Sequence, residues 1–335
     1  MLAYIWQYFY SFFLRFCLKW LLRQLTGRCE LQRICSGCAP GSVRTTRVGE
    51  ESHSWVGIEN ESIRPHVTLA LIKICSSRSV CCLISEYSLK NSKNKVLRDA
   101  VNMKVDVVKD CVAQIMREKN IMEQKDLVFK VSFQQCLLQI SGYNTLFASV
   151  ENLRKEAFDS ENQQHEEMLL KLWDLLMPSV TLESRVTKQW GSIGFQGDDP
   201  KTDFRGMGVL GLVNLLFFSE HYTDAARRVL SHANHPKLGY SYAIVGINLT
   251  EMAYSLLRTG ALKRHFYNMV TGEPQLHHFH QFYCYLVYEF DQFWMEEEPD
   301  SIMDFNHYRE KFHEKVKGHL LEPEVALVLN VDPNN

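Results

Sequence analysis

From Asn94 onward the apolar residues of this chain recur at close to the helical period, and no alternating strand pattern appears after residue 93. Val96, Leu97, Val101, Val105, Val108, Val112 and Ile115 keep helical spacing through about residue 118. A second apolar helix is expected over Val128–Ile140, closed by Ser141-Gly142, and a third over Asn144–Glu156. Ser160 and Gln163 have capping-box spacing ahead of HEEMLLKLWDLLMP, which Pro178 closes. A short helix over Leu182–Trp190 leads into a polar loop. Beyond it the pattern predicts helices over Met207–Tyr222, over DAARRVLSHA capped by Thr223, and over 238–257, 262–270, 276–297 and 302–320. The segment 238–257 is apolar nearly all round, but Tyr242, Asn248, Thr250, Glu251 and Tyr254 interrupt it, as in a buried central helix rather than a membrane span. The expected fold class is all-α: one multi-helical domain over 93–322, followed by a tail over 323–335.

The first 36 residues form a separate region. MLAYIWQYFYSFFLRFCLKWLLRQL is too short for a clean apolar span, because Arg15, Lys19 and Arg23 interrupt it. It lacks the leading basic residues and cleavage site of a signal peptide. Gln7, Ser11, Arg15, Lys19 and Arg23 form one winding polar stripe on a helix otherwise covered by aromatics, and Gly27 can stop it. Such a helix can lie in a membrane interface, dock on the helical domain, or span a bilayer. Residues 37–92 read as a linker, punctuated by Pro40, Gly41, Gly49, Gly57 and Pro65. Within it, 67–84 offers one or two loose strands or a poorly ordered insert.

With 335 residues, 46% of them hydrophobic, the chain can bury a sizeable core. A net charge of −2 gives no global electrostatic case for nucleic acid. The ten cysteines are scattered as reduced thiols usually are. Cys35-Ser-Gly-Cys38 lacks the βαβ context of a redox motif and the second ligand pair of a zinc site. Gly206-Met-Gly208-Val-Leu-Gly211 matches GxGxxG, but DDPKTDFR precedes it where a dinucleotide site needs a strand. Those glycines are expected to let a helix start pack close to a neighbour. No P-loop, GxSxG or HExxH is present. His277, His278 and His280, with Cys284 beyond, are expected to be surface and core residues rather than a zinc site. No metal, cofactor or nucleotide of the chain's own is expected.

The polar chemistry concentrates in Trp190–Leu215, WGSIGFQGDDPKTDFRGMGVLGLVNL. Asp198, Asp199 and Asp203 precede a helix start, where acids cap and oppose the dipole. Arg205 can bridge these acids and hold the loop closed, or be oriented by them and presented outward. A planar, permanently charged fork suits phosphate oxygens.

Trp190, Gly194-Phe195-Gln196, Pro200, Thr202-Asp203-Phe204-Arg205-Gly206, Gly208 and the Leu212/Leu215 pair resemble the signature of the ELMO-domain family, in its ELMO domain-containing subgroup. SENQQHEEMLLKLW, GYSYAIVGIN, FYCYLVYEFDQFW and the N-terminal LLRQLTGRCELQRI agree. The resemblance covers about 1–36 and 90–325; residues 49–87 depart from it. It implies a GTPase-activating protein for small GTPases of the Arf and Arf-like class, a regulator rather than an enzyme. Arg205 falls on the family's catalytic arginine, with Gln196, Asp199, Pro200, Thr202, Asp203, Phe204 and Gly206 contacting the partner or supporting the loop. The family also includes engulfment-and-motility adaptors, so a non-catalytic interaction module is the alternative. Cytosol, with peripheral association with intracellular membranes through residues 1–25, is the location implied.

Overall fold

A computed structural model describes residues 15–36, 43–45, 72–74 and 78–329. They group into two compact units, the first from residues 1–142 with 270–273, the second from 143–269 with 274–335.

In the first unit, α1 (Arg15–Thr26) and α2 (Glu30–Ser36) precede a pair of three-residue antiparallel strands, β1 (Val43–Thr45) and β2 (Ile72–Ile74), with Val43 opposite Ile74. Then come α3 (Arg78–Lys90), α4 (Lys95–Asp99), two 3-10 turns (Ala100–Asn102 and Val105–Val107), α5 (Val108–Glu118) and the first half of α6 (Leu127–Lys155). Gln7 and Ser11, the start of the expected polar stripe, lie outside the described residues.

Helix α3 falls inside the stretch expected to be loose. Its inward residues Cys81, Ser85 and Leu89 recur every four positions and are fully buried. Small cysteine and serine side chains carry little hydropathy, so this stripe is nearly invisible to a periodicity reading. Helix α2 packs on it through buried Leu31, Ile34 and Cys35. Cys81 is disulfide-bonded, unlike the free thiols that the scattered spacing suggested. Cys82 and Gln139 instead share a buried polar contact: the thiol donates to Oε1 at 2.9 Å, and Gln139 Nε2 donates to the Val270 carbonyl at 2.7 Å.

Two helix boundaries also differ from expectation. The apolar pattern over 96–118 is not one helix. Met103 and Lys104 are extended, and the Ser141 hydroxyl takes the Met103 carbonyl that a continuous helix would have used. Conversely, Ser141-Gly142 stops nothing, and α6 runs unbroken for 29 residues. A glycine costs a helix interior only about 1 kcal/mol, which burial of Phe133, Leu137, Ile140 and Leu146 around it outweighs.

In the second unit, the rest of α6 is followed by α7 (Gln163–Leu176), 3-10 turns at Lys188–Ile193 and Pro200–Arg205, α8 (Gly208–His221), α9 (Thr223–Ala233), α10 (Tyr242–Thr259), α11 (Lys263–Met269), α12 (Leu276–Glu297), a turn at Ile302–Asp304 and α13 (Phe305–Leu320). The α7 cap is Asn162, whose side chain accepts from the Gln164 N–H at 3.0 Å, two residues past the Ser160 expected. Thr223 opens α9, yet its hydroxyl donates back to the Ser219 carbonyl rather than capping. Residues 182–187, expected to be helical, form an irregular lead-in to the 3-10 turn.

Helix α8 is the centre of this unit. It is buried nearly all round, against α7, α9, α10 and α12. At Gly246 of α10 an added Cβ would lie 2.5 Å from Leu215 Cδ2 and 2.9 Å from the Tyr283 hydroxyl, so three helices meet there because a side chain is missing. Beside that contact runs a buried polar chain. His280 Nδ1 donates to Asn214 Oδ1 at 2.6 Å, Asn214 Nδ2 donates to Thr250 Oγ1 at 3.1 Å, and Thr250 donates to the Gly246 carbonyl. The segment past Pro323, expected to be an appendage, docks as far as Leu329. Asn268 Nδ2 donates to the carbonyls of Pro323 and Val325, and the Leu327 N–H donates to His265 Nδ1 at 3.0 Å. Among the described residues, no helix is long and apolar enough to cross a membrane.

Candidate functional site

The loop between α7 and α8 is shaped by its own acids. Asp199 is extended and caps the Pro200–Arg205 turn, its carboxylate accepting the Lys201 N–H at 3.0 Å. Pro200 follows at the first position, where a missing N–H costs nothing. Asp203 does not cap a helix; its Oδ2 accepts the backbone N–H of Gln196 at 2.7 Å and ties the two limbs of the loop together. Burial pushes the Asp203 carboxyl above the usual carboxylate range, while the Gln196 N–H, the Thr202 hydroxyl and the charge of Arg205 pull the other way. Lys201 Nζ donates to Ser160 Oγ at 3.2 Å, and the Thr187 N–H donates to the Asp198 carbonyl at 2.9 Å.

Beneath the loop lies a row of buried rings. Trp173 meets Trp190 edge-on at 5.4 Å, Trp190 meets Phe195 at 5.9 Å, Phe195 meets Phe204 at 5.6 Å, and Phe204 stacks on Phe158 at 5.4 Å. Both indole N–H groups are satisfied, Trp173 by the Val180 carbonyl and Trp190 by that of Arg185. Phe204 therefore pins the turn from inside, 1% exposed. The next residue, Arg205, points out.

Arg205 is exposed, and its side chain makes no hydrogen bond or ion pair with any described residue. The bridge between Arg205 and the acids, one of the two arrangements open from sequence, is thus not formed. Asp199 is taken by Arg185 instead, together with Glu166 of α7, while Asp203 is held by the Gln196 N–H. Arg185 Nε and Nη2 hold both oxygens of Glu166, Nη2 at 2.9 Å, and Nη1 donates to Asp199 at 3.0 Å. The Arg185 guanidinium also lies over the Phe158 ring. Sequence reasoning missed Arg185, because its partners are 14 and 19 residues away and follow no local pattern.

The remaining candidate residues divide by exposure. Gln196, Thr202 and Gly206 are exposed beside Arg205; Asp199 and Asp203 are half-buried; Pro200 and Phe204 are buried. The glycines close the site from the chain's own side. Gly208 has φ +55°, and a Cβ there would lie 2.3 Å from the Glu156 carbonyl oxygen and 2.4 Å from that of Arg154. Gly194 has φ +83°, and a Cβ would lie 2.3 Å from the Tyr242 nitrogen. The space before Gly208 is filled by the chain where α6 ends, and the carbonyl of Glu156, the residue just past that helix, accepts the Val209 N–H at 2.8 Å. The helix start that GxGxxG would offer to a pyrophosphate is occupied by backbone.

The histidines of α12 do not converge on one point, although the His277 and His278 rings lie 3.7 Å apart. His277 is exposed, His278 Nδ1 accepts the Gln275 N–H at 3.0 Å, and His280 is turned into the core on Asn214. Burial lowers the His280 pKa to about 4. Cys284 is buried, with burial pushing its thiol well up.

Residues 148–309 match the ELMO/CED-12 family model, almost all of them in the second unit. The chain is 56% identical to ELMO domain-containing protein 2 of Homo sapiens over 98% of this chain and 99% of that protein. It is 45% identical to human ELMO domain-containing protein 1, over 98% of this chain and 94% of that one. It is 37% identical to ELMO domain-containing protein B of Dictyostelium discoideum over 57% and 66% of the two chains. The chain belongs to the ELMO/CED-12 family. The near-complete coverage of the human relatives takes the alignment across residues 49–87, the stretch that departs from the resemblance.

Proposed function

We propose that this protein is a GTPase activator: it sets the Arg205 guanidinium against the transferring phosphoryl group of a small GTPase of the Arf or Arf-like class. The observation that carries this reading is an exposed arginine, without an ion-pair partner among the described residues, on a turn braced from below by buried rings. A guanidinium already paired would have to leave its carboxylate before meeting a phosphate. This one does not, and its backbone is held while its side chain stays available. An arginine supplied in trans offsets charge on the transferring group and is worth about 10³–10⁵ in rate. Gln196, Thr202 and Gly206 form the partner-facing rim; Asp199, Pro200, Asp203 and Phe204 keep the turn in shape. The nucleotide, its magnesium and the attacking water belong to the GTPase.

We also infer peripheral association with an intracellular membrane. Trp20, Leu21 and Leu25 of α1 are exposed apolar side chains beside the basic residues of the same helix.

Single-turnover GTP hydrolysis by Arf and Arf-like GTPases, with wild-type protein and with Arg205→Lys, tests the first reading. Lysine keeps the charge and loses the fork. Acceleration by wild type, with at least a hundredfold of it lost in a normally melting Arg205→Lys, is the expected result. Tight binding of the GTP-bound partner without acceleration by wild type moves the protein to the adaptor reading.

A further inference from the structure

In the first unit, α1, α2, the turn around residues 91–94 and the end of α5 enclose a cleft of about 480 Å3. Lys19 and Arg23 of α1, Lys93 of the turn and Lys119 after α5 all line it. Among the described residues that line it, one carboxylate, Glu30, faces them, and it is held by Lys19 and by the Ser88 hydroxyl at 3.0 Å. The side chains of Arg23 and Lys119 make no hydrogen bond or ion pair with any described residue. Among the described residues that line the cleft, four cations thus face one acid, with Arg23 and Lys119 the two whose side chains are unpaired. Placement of the cations on separate elements around a concave site suits a compact, multiply charged anion better than a flat surface does.

The rim of the cleft says where that anion comes from. Trp20 lines it and is 64% exposed, while Leu21 and Leu25 of the same helix are open to solvent. A free metabolite has no use for such a rim, but a lipid has: the apolar residues enter the interface while the cations meet the head group. We propose that this cleft binds the phosphorylated head group of an inositol phospholipid and fixes which membrane the protein meets. This deepens the peripheral-association reading and rests on it.

The test uses the full chain and two readouts. The first is calorimetric binding of soluble inositol 1,4,5-trisphosphate. The second is flotation on phosphatidylcholine vesicles carrying either a phosphatidylinositol bisphosphate or phosphatidylserine, matched in total surface charge. Wild type is expected to bind the soluble head group and to float better with the inositol lipid. Lys119→Ala and Lys93→Ala, both remote in sequence from α1, should each weaken both readouts about fivefold, with unchanged melting. Leu25→Ser should weaken flotation and leave head-group binding alone. Equal flotation on the two anionic vesicles, or head-group binding indifferent to Lys119 and Lys93, overturns the proposal while leaving membrane association standing. Head-group binding without flotation on any vesicle overturns the lipid source together with the membrane reading.

Discussion

The turn around Arg205 and the cleft beside α1 both present cations, and they are built in opposite ways. The turn presents one guanidinium, with Asp199 and Asp203 engaged elsewhere and a row of buried rings beneath. The cleft gathers four cations from three elements next to apolar side chains left in solvent. Placing one charge against a transition state demands a fixed backbone, because misplacement by an ångström forfeits much of the effect. Gathering charges toward a surface demands number, since each adds its share whatever its rotamer. The two surfaces should therefore fail differently when altered.

The comparison breaks most readily at Phe204. Phe204→Ala removes a ring buried in the middle of the row and should cost about 3–5 kcal/mol in urea unfolding, with GTPase activation lost although Arg205 is intact. A cost below about 1 kcal/mol would mean the turn is not held from below. Gly208→Ala comes next, at about 3 kcal/mol from left-handed strain and a Cβ set against backbone oxygens. Its mark would be a lower melting temperature with impaired activation. Arg185→Met strips Glu166 and Asp199 of their shared partner and should cost about 2 kcal/mol. If Arg185 holds the turn, activation falls while affinity for the GTPase changes less; an unaltered rate would show that the rings suffice.

A separate effect, spread over a range of pH, concerns acid. His265 and His280, both in the second unit, are buried neutral, with pKa values lowered by burial to about 3 and about 4. An unfolded imidazole titrates near 6.5. The neutral histidines thus contribute stability that is complete above pH ~6.5 and is lost as pH falls toward the folded values. Each should steepen the acid limb by up to about 1.4 kcal/mol per pH unit. His265→Gln with His280→Gln should flatten chemical-denaturation stability between pH 6 and 4, roughly the span of that titration; an unchanged slope would place the acid response elsewhere. Smallest of all, Leu25→Ser should alter stability by no more than about 0.5 kcal/mol. A larger loss of melting temperature would mean that α1 is part of a core, and the contrast between the two surfaces would disappear.

The helices of the second unit were legible because their apolar stripes are made of large residues at helical spacing, as in Leu169, Leu172, Trp173 and Leu176. Helix α3 was not, because cysteine and serine form its buried stripe. The α4–α5 break was hidden by a valine pattern that both segments share. Continuity at Ser141-Gly142 was misread because a local stop signal is overridden by burial on either side. At the site, the role of small residues at Gly208 was readable from the sequence preceding it. The exposure of Thr202 and Arg205 follows from a 3-10 turn that periodicity does not predict, and Gln196 is tied to that turn by its N–H on Asp203. The allocation of the acids was illegible: Asp199 and Asp203 looked like partners for the nearest arginine. Asp199 goes to Arg185, outside the loop, and Asp203 to the Gln196 N–H across it, and together these decide where Arg205 is left.

The edge-to-face pair Trp173 and Trp190, 5.4 Å apart, has a use of its own. Two indoles that close couple their electronic transitions, and the sign and size of the resulting near-ultraviolet dichroism depend on the angle between them. Trp190 stands at the head of the loop and Trp173 in the helix before it. The molecule thus carries an unlabelled optical gauge beside Arg205, able to report whether the arrival of a GTPase leaves the loop as it stands or rearranges it.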